Sequence, residues 1–181
     1  TFAIHCSEKG YNVYGIEINE HILNSLNSNR AHFLEPGIDD LIRKYKDKSF
    51  FCLDSVPENV EFDYVIISVG TPYNKTNAYV DLRSMEAALS STANVITDKT
   101  LVVLRSTVSV TTSRSFVYEK LKTFGVTSPK IAFCPERTVE GKALIELNTL
   151  PQIIGALDSS LKKTKKFENM YKVKTFNSFI E

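Results

Sequence analysis

Apolar positions in this chain fall into short continuous runs, separated by stretches in which they recur at helical spacing. NVYGIEI (12–18), Ser49–Leu53, FDYVIISVG (62–70), TLVVLRSTV (100–108), KIAFCPE (130–136) and PQIIGAL (151–157) read as strands. The run at 62–70 is the strongest of them and, nearly free of polar interruptions, suits a parallel strand covered on both faces. Between the runs lie helical stripes: Ile22, Leu23 and Leu26; Ile38, Leu41, Ile42 and Tyr45; Leu82, Met85, Leu89, Ala93 and Ile96; Val117, Leu121 and Phe124. Residues 3–9 read as the last turns of a helix stopped by Gly10, and Gly125 stops a later one. Asn19 is placed to cap the helix after the first strand. Glu35-Pro36-Gly37 breaks the pattern, and Gly70-Thr71-Pro72 ends the strongest strand and opens a polar loop. A Lys-rich, solvent-facing helix is expected over 159–172, with a last strand beginning in VKTFNS.

Strands alternating with helices specify an α/β fold, a doubly wound, mainly parallel sheet with helices on both faces. No linker or repeat divides the chain, so residues 1–181 read as a single domain. Hydrophobic content of 43% against 24% charged is that of a folded globular protein, which sets wholesale disorder aside. With 22 basic and 21 acidic residues, charge supplies no argument for nucleic acid or an anionic membrane as a partner. No apolar run approaches the about 20 residues of a membrane span. Cys6, Cys52 and Cys134 are an odd number without repeated spacing, and His5, His21 and His32 are scattered. No disulfide framework or metal site is expected, and a reducing cytoplasmic location fits best.

Ligands of open α/β sheets bind beyond the carboxyl ends of the strands. Four such ends here carry polar chemistry: Glu17; Val69-Gly70-Thr71-Pro72; Ser106-Thr107; and Pro135-Glu136-Arg137. Each has an ordinary reading too: a solvated acid, turn punctuation, a helix cap, a surface ion pair. An acidic residue ending an early strand suits a nucleotide ribose. A dinucleotide-binding unit also needs an earlier strand and a Gly-rich turn for the phosphates. The chain begins with a helix, so it reads as such a fold with its first strand and Gly-rich loop missing. Two other readings stay open: an S-adenosylmethionine-dependent methyltransferase, whose ribose would also meet Glu17, and a non-catalytic truncated relic or interaction module.

VIISVGTP (65–72), RSTVSVTTS (105–113) and CPERTVEGKALIELNTLPQIIG (134–155), in that order and spacing, resemble the NAD-binding domain of the UDP-glucose/GDP-mannose 6-dehydrogenase family. EKGYNVYGIEIN with EPGIDDLI adds a weaker match at the front, and PER followed by LPQIIG is most similar to the UDP-N-acetylmannosamine branch. The resemblance implies a Rossmann-like sheet, NAD as cofactor, a UDP-sugar as substrate and a homo-oligomeric full-length enzyme. It implies oxidation of the sugar C6 alcohol to a carboxylate with two NAD, through a cysteine thioester that is then hydrolysed. Carried over by position, Glu136 assists the attacking water and Thr107 positions it. Glu17, Val69, Gly70, Thr71, Ser106 and Thr107 line the cofactor, and Arg137, Thr138 and Glu140 meet the nucleotide sugar. The nucleophilic cysteine of the family lies in a later domain, and Cys134, within an apolar strand, reads as packing. The resemblance therefore also implies that these residues alone bind NAD weakly and turn over no UDP-sugar. Where the family has STVPVGTT, this chain has STVSVTTS, which puts Ser109 and Thr111 in a loop that elsewhere holds Pro and Gly.

Overall fold

Asn19 caps as expected: its Oδ1 accepts the backbone N–H groups of His21 at 3.0 Å and Ile22 at 3.3 Å, and a helix follows. The computed structural model describes residues 1–76 and 78–156, and the backbone of 176–177. Its elements run α1 (Phe2–Glu8), β1 (Val13–Ile16), α2 (Glu20–Asn27), α3 (Ile38–Tyr45), β2 (Phe50–Leu53), β3 (Tyr64–Ile67), β4 (Tyr73–Asn74), β5 (Tyr79–Val80) and α4 (Arg83–Ser91). Then come β6 (Leu101–Leu104), a π-helical stretch (Ser113–Tyr118) leading into α5 (Glu119–Thr123), β7 (Lys130–Phe133), α6 (Ala143–Thr149), β8 (Ile153–Ala156) and β9 (Phe176–Asn177). The helix expected over 159–172 lies outside the described residues, whereas β9 falls in the expected last strand.

Contacts gather these elements into two units. The first contains Thr1–Pro57 and Arg137–Leu150. In it β1 and β2 pair in parallel, Val13 opposite Phe50 and Ile16 opposite Leu53. Ile4, Ile38, Ile42 and Phe50 form its buried centre, with Val13, Leu26 and Leu144 packed around them. Gly10 follows α1 with φ +89°, a conformation that costs a side-chain-bearing residue and so ends the helix there. Cys52, half-buried on β2, has its thiol pushed up from 9.0 to about 11 by loss of hydration, against a weaker opposing pull from Lys46. A thiol held neutral stabilises the fold below pH 9, and that contribution disappears as pH rises through about 11. Cys52→Ala is therefore expected to flatten the alkaline loss of stability over this interval, as followed by urea melts at stepped pH.

The second unit contains Glu58–Glu136 and, among the described residues, 151–156 and 176–177. Its sheet has the order β3-β6-β7-β8-β9. β3, β6 and β7 are parallel, β8 is antiparallel to β7, and β9 is parallel to β8. β6 is the most enclosed strand, with Leu101 to Leu104 all at 0% exposure. β3, expected to be covered on both faces, is buried on one, through Val65 and Ile67, while Tyr64 and Ile66 on the other are half-buried. β6 has hydrogen-bonded neighbours on both sides, whereas β3 ends its sheet. β1 also ends its own sheet, so β1 and β3 each have an edge unpaired among the described residues. α4, the π-helical stretch and α5 cover the sheet with Met85, Leu89, Val117 and Leu121, all at 0% exposure. The polar loop expected after Pro72 contains a short antiparallel hairpin, β4 with β5, closed by Tyr73 opposite Val80.

Candidate active site

Register brings the strand ends of the second unit level. Ile67, Leu104 and Phe133 lie in line across β3, β6 and β7, so the residues after them emerge at one edge. Beyond the last ladder pairs the strands continue to bond: Arg105 N–H donates to Ile67, Cys134 N–H to Leu104 and Glu136 N–H to Arg105. Two hydroxyls stitch the ends of β3 and β6 crosswise. Ser106 Oγ donates to the Val69 carbonyl at 2.7 Å, and Thr71 Oγ1 donates to the Thr107 carbonyl at 2.6 Å. Ser106 is buried while Gly70 and Thr107 are exposed, and a methyl group added at Gly70 would meet nothing within 4 Å. Backbone and hydroxyl groups therefore stand open to a ligand on a rigid base.

Arg105 is the residue that reading the strand ends overlooked. Its side chain is 1% exposed, yet it reaches the end of β7, where Nη2 meets Glu136 Oε2 at 2.5 Å. Nη1 lies 3.5 Å from the sulfur of Cys134, which is itself wholly buried. The only early signal was a cation closing an otherwise apolar strand. An enclosed guanidinium fixes the direction of its carboxylate partner. Glu136, with 40% of its side chain exposed, is thereby held in a fixed direction at the rim.

Thr111 lies in the following loop with φ +76°. This is the position where the resemblance places glycine, and a β-branched residue is strained there. The Thr111 carbonyl accepts N–H groups from Arg114 and Ser115, and the Ser115 hydroxyl, which starts the π-helical stretch. Thr111→Gly is expected to raise stability by about 1–2 kcal/mol, measured by denaturant unfolding.

The other candidates belong to the first unit. Glu17 follows β1, and its Oε1 accepts the Asn19 N–H at 2.8 Å, so part of its role is local support of the α2 entrance. Arg137, Thr138 and Glu140 lie on the segment before α6. That segment is held by Glu35, whose Oε2 accepts from Gly141 at 2.9 Å and Ala143 at 3.2 Å, and whose Oε1 accepts from Leu144 at 2.9 Å. In the sequence Glu35 reads only as part of the Glu35-Pro36-Gly37 break. A single acidic residue before Pro-Gly offers no local sign of partners more than a hundred positions away. Val69, Gly70, Thr71, Ser106, Thr107 and Glu136 thus share one strand-end platform, while Glu17 and the 137–140 segment belong to the first unit. Among the described residues no cluster of His, Cys, Asp and Glu could hold a metal, and no helix is long and apolar enough to cross a membrane.

Similar architecture occurs in a UDP-D-ManNAc dehydrogenase from Pyrococcus horikoshii, at TM-score 0.86 and 26% identity, over 98% of this chain and 43% of that one. An NDP-N-acetyl-D-galactosaminuronic acid dehydrogenase from Methanosarcina mazei superimposes with TM-score 0.87 at 20% identity, over 98% of this chain and 41% of that one. The fold is therefore that of Rossmann-type dehydrogenases, mixed helices and strands about a mostly parallel sheet. Residues 1–175 match the model of the UDP-glucose/GDP-mannose dehydrogenase family, NAD binding domain, and the chain belongs to that family. A UDP-N-acetyl-D-mannosamine dehydrogenase of Campylobacter jejuni is 33% identical over 167 residues, 87% of this chain. The chain spans 40% of that relative's length. Membership sets the methyltransferase reading aside and makes NAD the cofactor.

The residues present fit that cofactor. Glu17 Oε2 has no partner among the described residues, so it can accept from a ribose while Oε1 stays on Asn19. The open face at Gly70 allows a flat group to approach the β3 end.

Proposed function

We propose that these residues are the NAD-binding portion of a nucleotide-sugar dehydrogenase that oxidises the C6 alcohol of a UDP-N-acetylhexosamine to the uronate with two NAD. The Arg105–Glu136 pair at the strand-end platform carries this reading. It supplies an oriented carboxylate where the last step, hydrolysis of a thioester, needs a proton acceptor. NAD, when bound, supplies the hydride acceptor. Glu17 holds a ribose, Val69 to Thr71 and Ser106 flank the cofactor, and Thr107 orients the water from which Glu136 takes a proton. Arg137 offers a planar, charged fork to the oxyanions of the nucleotide sugar, with Thr138 and Glu140 beside it.

None of the three cysteines is prepared as a nucleophile. Cys6 and Cys134 are buried, and Cys52 stays protonated until about pH 11. On this reading none of the three forms the thioester, and the enzyme reaction draws its nucleophile from elsewhere. Calorimetric titration of the chain with NAD and, separately, with S-adenosylmethionine tests the reading. Heat with NAD alone is expected, weakened about tenfold or more in Glu17→Ala through loss of a charged hydrogen bond. Binding of S-adenosylmethionine alone would refute it, and steady NADH production from UDP-sugars by these residues would refute the placing of the nucleophile elsewhere.

A further inference from the structure

We propose that Glu35 is a positioning residue for nucleotide-sugar recognition, acting by clamping the backbone of the segment that carries Arg137, Thr138 and Glu140; this rests on the reading of that segment given above. Glu35 is 5% exposed, and both its carboxylate oxygens are spent on backbone N–H groups of residues 141, 143 and 144. A second carboxylate works from the other side. Glu146, within α6, accepts the Val139 N–H on its Oε2 at 2.7 Å. Amides at 139, 141, 143 and 144 are therefore each tied to a carboxylate, interleaved with the residues proposed to meet substrate.

A plain helix cap would need less. Lys142 precedes α6 and makes no capping bond, so the cap is supplied by Glu35, from a distant part of the chain. Glu35 also holds Gly141, which lies outside the helix with φ +84°. Leu34, the residue before Glu35, brings its carbonyl to 3.9 Å from where a Gly141 Cβ would sit. The clamp thus fixes a left-handed bend immediately after Glu140, and the bend sets the course of the backbone bearing all three side chains. Charged acceptors make the strong hydrogen bonds suited to such a task.

The test uses the protein as its gene encodes it, with UDP-N-acetylmannosamine and NAD as separate probes. Glu35→Gln puts an NH2 donor where a carboxylate oxygen accepts, so faster amide exchange at Gly141, Ala143 and Leu144 is expected. UDP-N-acetylmannosamine binding should weaken by about tenfold or more while NAD affinity stays within about twofold, and Glu35→Asp should recover part of the loss. Faster exchange with unchanged sugar affinity would make the clamp merely structural and overturn the proposal. Equal loss for both ligands would overturn it too. Failure of the unsubstituted protein to bind the sugar would instead remove the substrate reading, and it is seen before any substitution is made. Should Glu35→Gln not fold, Glu146→Gln releases Val139 from the opposite side and is read by the same two affinities.

Discussion

In the protein as its gene encodes it, Glu136→Gln is expected to reduce nucleotide-sugar oxidation by about 10²- to 10⁴-fold, the range lost with a positioned proton acceptor. The same change removes the carboxylate counter-charge from a guanidinium that is 1% exposed. A cost of about 1–3 kcal/mol in folding stability follows, because the enclosed guanidinium loses a charged acceptor. Two effects from one substitution are separable. Adding Arg105→Met replaces the enclosed cation by an apolar side chain, so much of the stability should return while the activity does not. Denaturant midpoints and single-turnover rates on the two single variants and the double variant complete the cycle. Activity returning with stability would mean that Glu136 serves the fold and not the chemistry.

Leu104→Ala is expected to destabilise the second unit by about 2–5 kcal/mol, the cost of an unfilled cavity in a packed interior. Leu104 is the last residue of β6, at 0% exposure, bonded on one side to the level of Ile67 and on the other to that of Phe133. It also immediately precedes Arg105, Ser106 and Thr107, so the packing that holds the sheet together is the packing that holds the site still. Val110→Ala, at a side chain 71% exposed, serves as the comparison and should stay within about 0.5 kcal/mol. Urea unfolding of both, with the slope checked for constancy, reads the difference. A small loss at Leu104 would place β6 away from the centre of this sheet.

Element types were legible because their causes are local. Asn19 carries its own cap, the apolar run at β6 needs both faces covered, and the Leu82, Met85, Leu89 spacing follows a helical period. The level strand ends were legible for a related reason: parallel strands place their carboxyl ends together, so polar residues after β3, β6 and β7 had to share an edge. What the sequence hid is long-range pairing. Arg105 closes on Glu136 across 31 positions, and Glu35 on residues 141–144 across more than a hundred. Nothing in the composition of either neighbourhood announces the partner. The β4–β5 hairpin was hidden because it is only two residues wide on each side and framed by Asn, Lys and Thr, which also make ordinary loops.

Thr111 carries a consequence of another kind, for how this loop can change by mutation. Its left-handed backbone would be relieved most fully by glycine, yet no single base change converts a threonine codon to a glycine codon. The steps that do lie within reach include alanine and serine, which keep a Cβ and so keep the strain. Asparagine is also a single base away from some threonine codons, and it tolerates left-handed backbone far better than threonine. Relief is therefore most accessible through asparagine, and a lineage holding threonine can retain its strained turn simply because the best replacement is not adjacent in the genetic code.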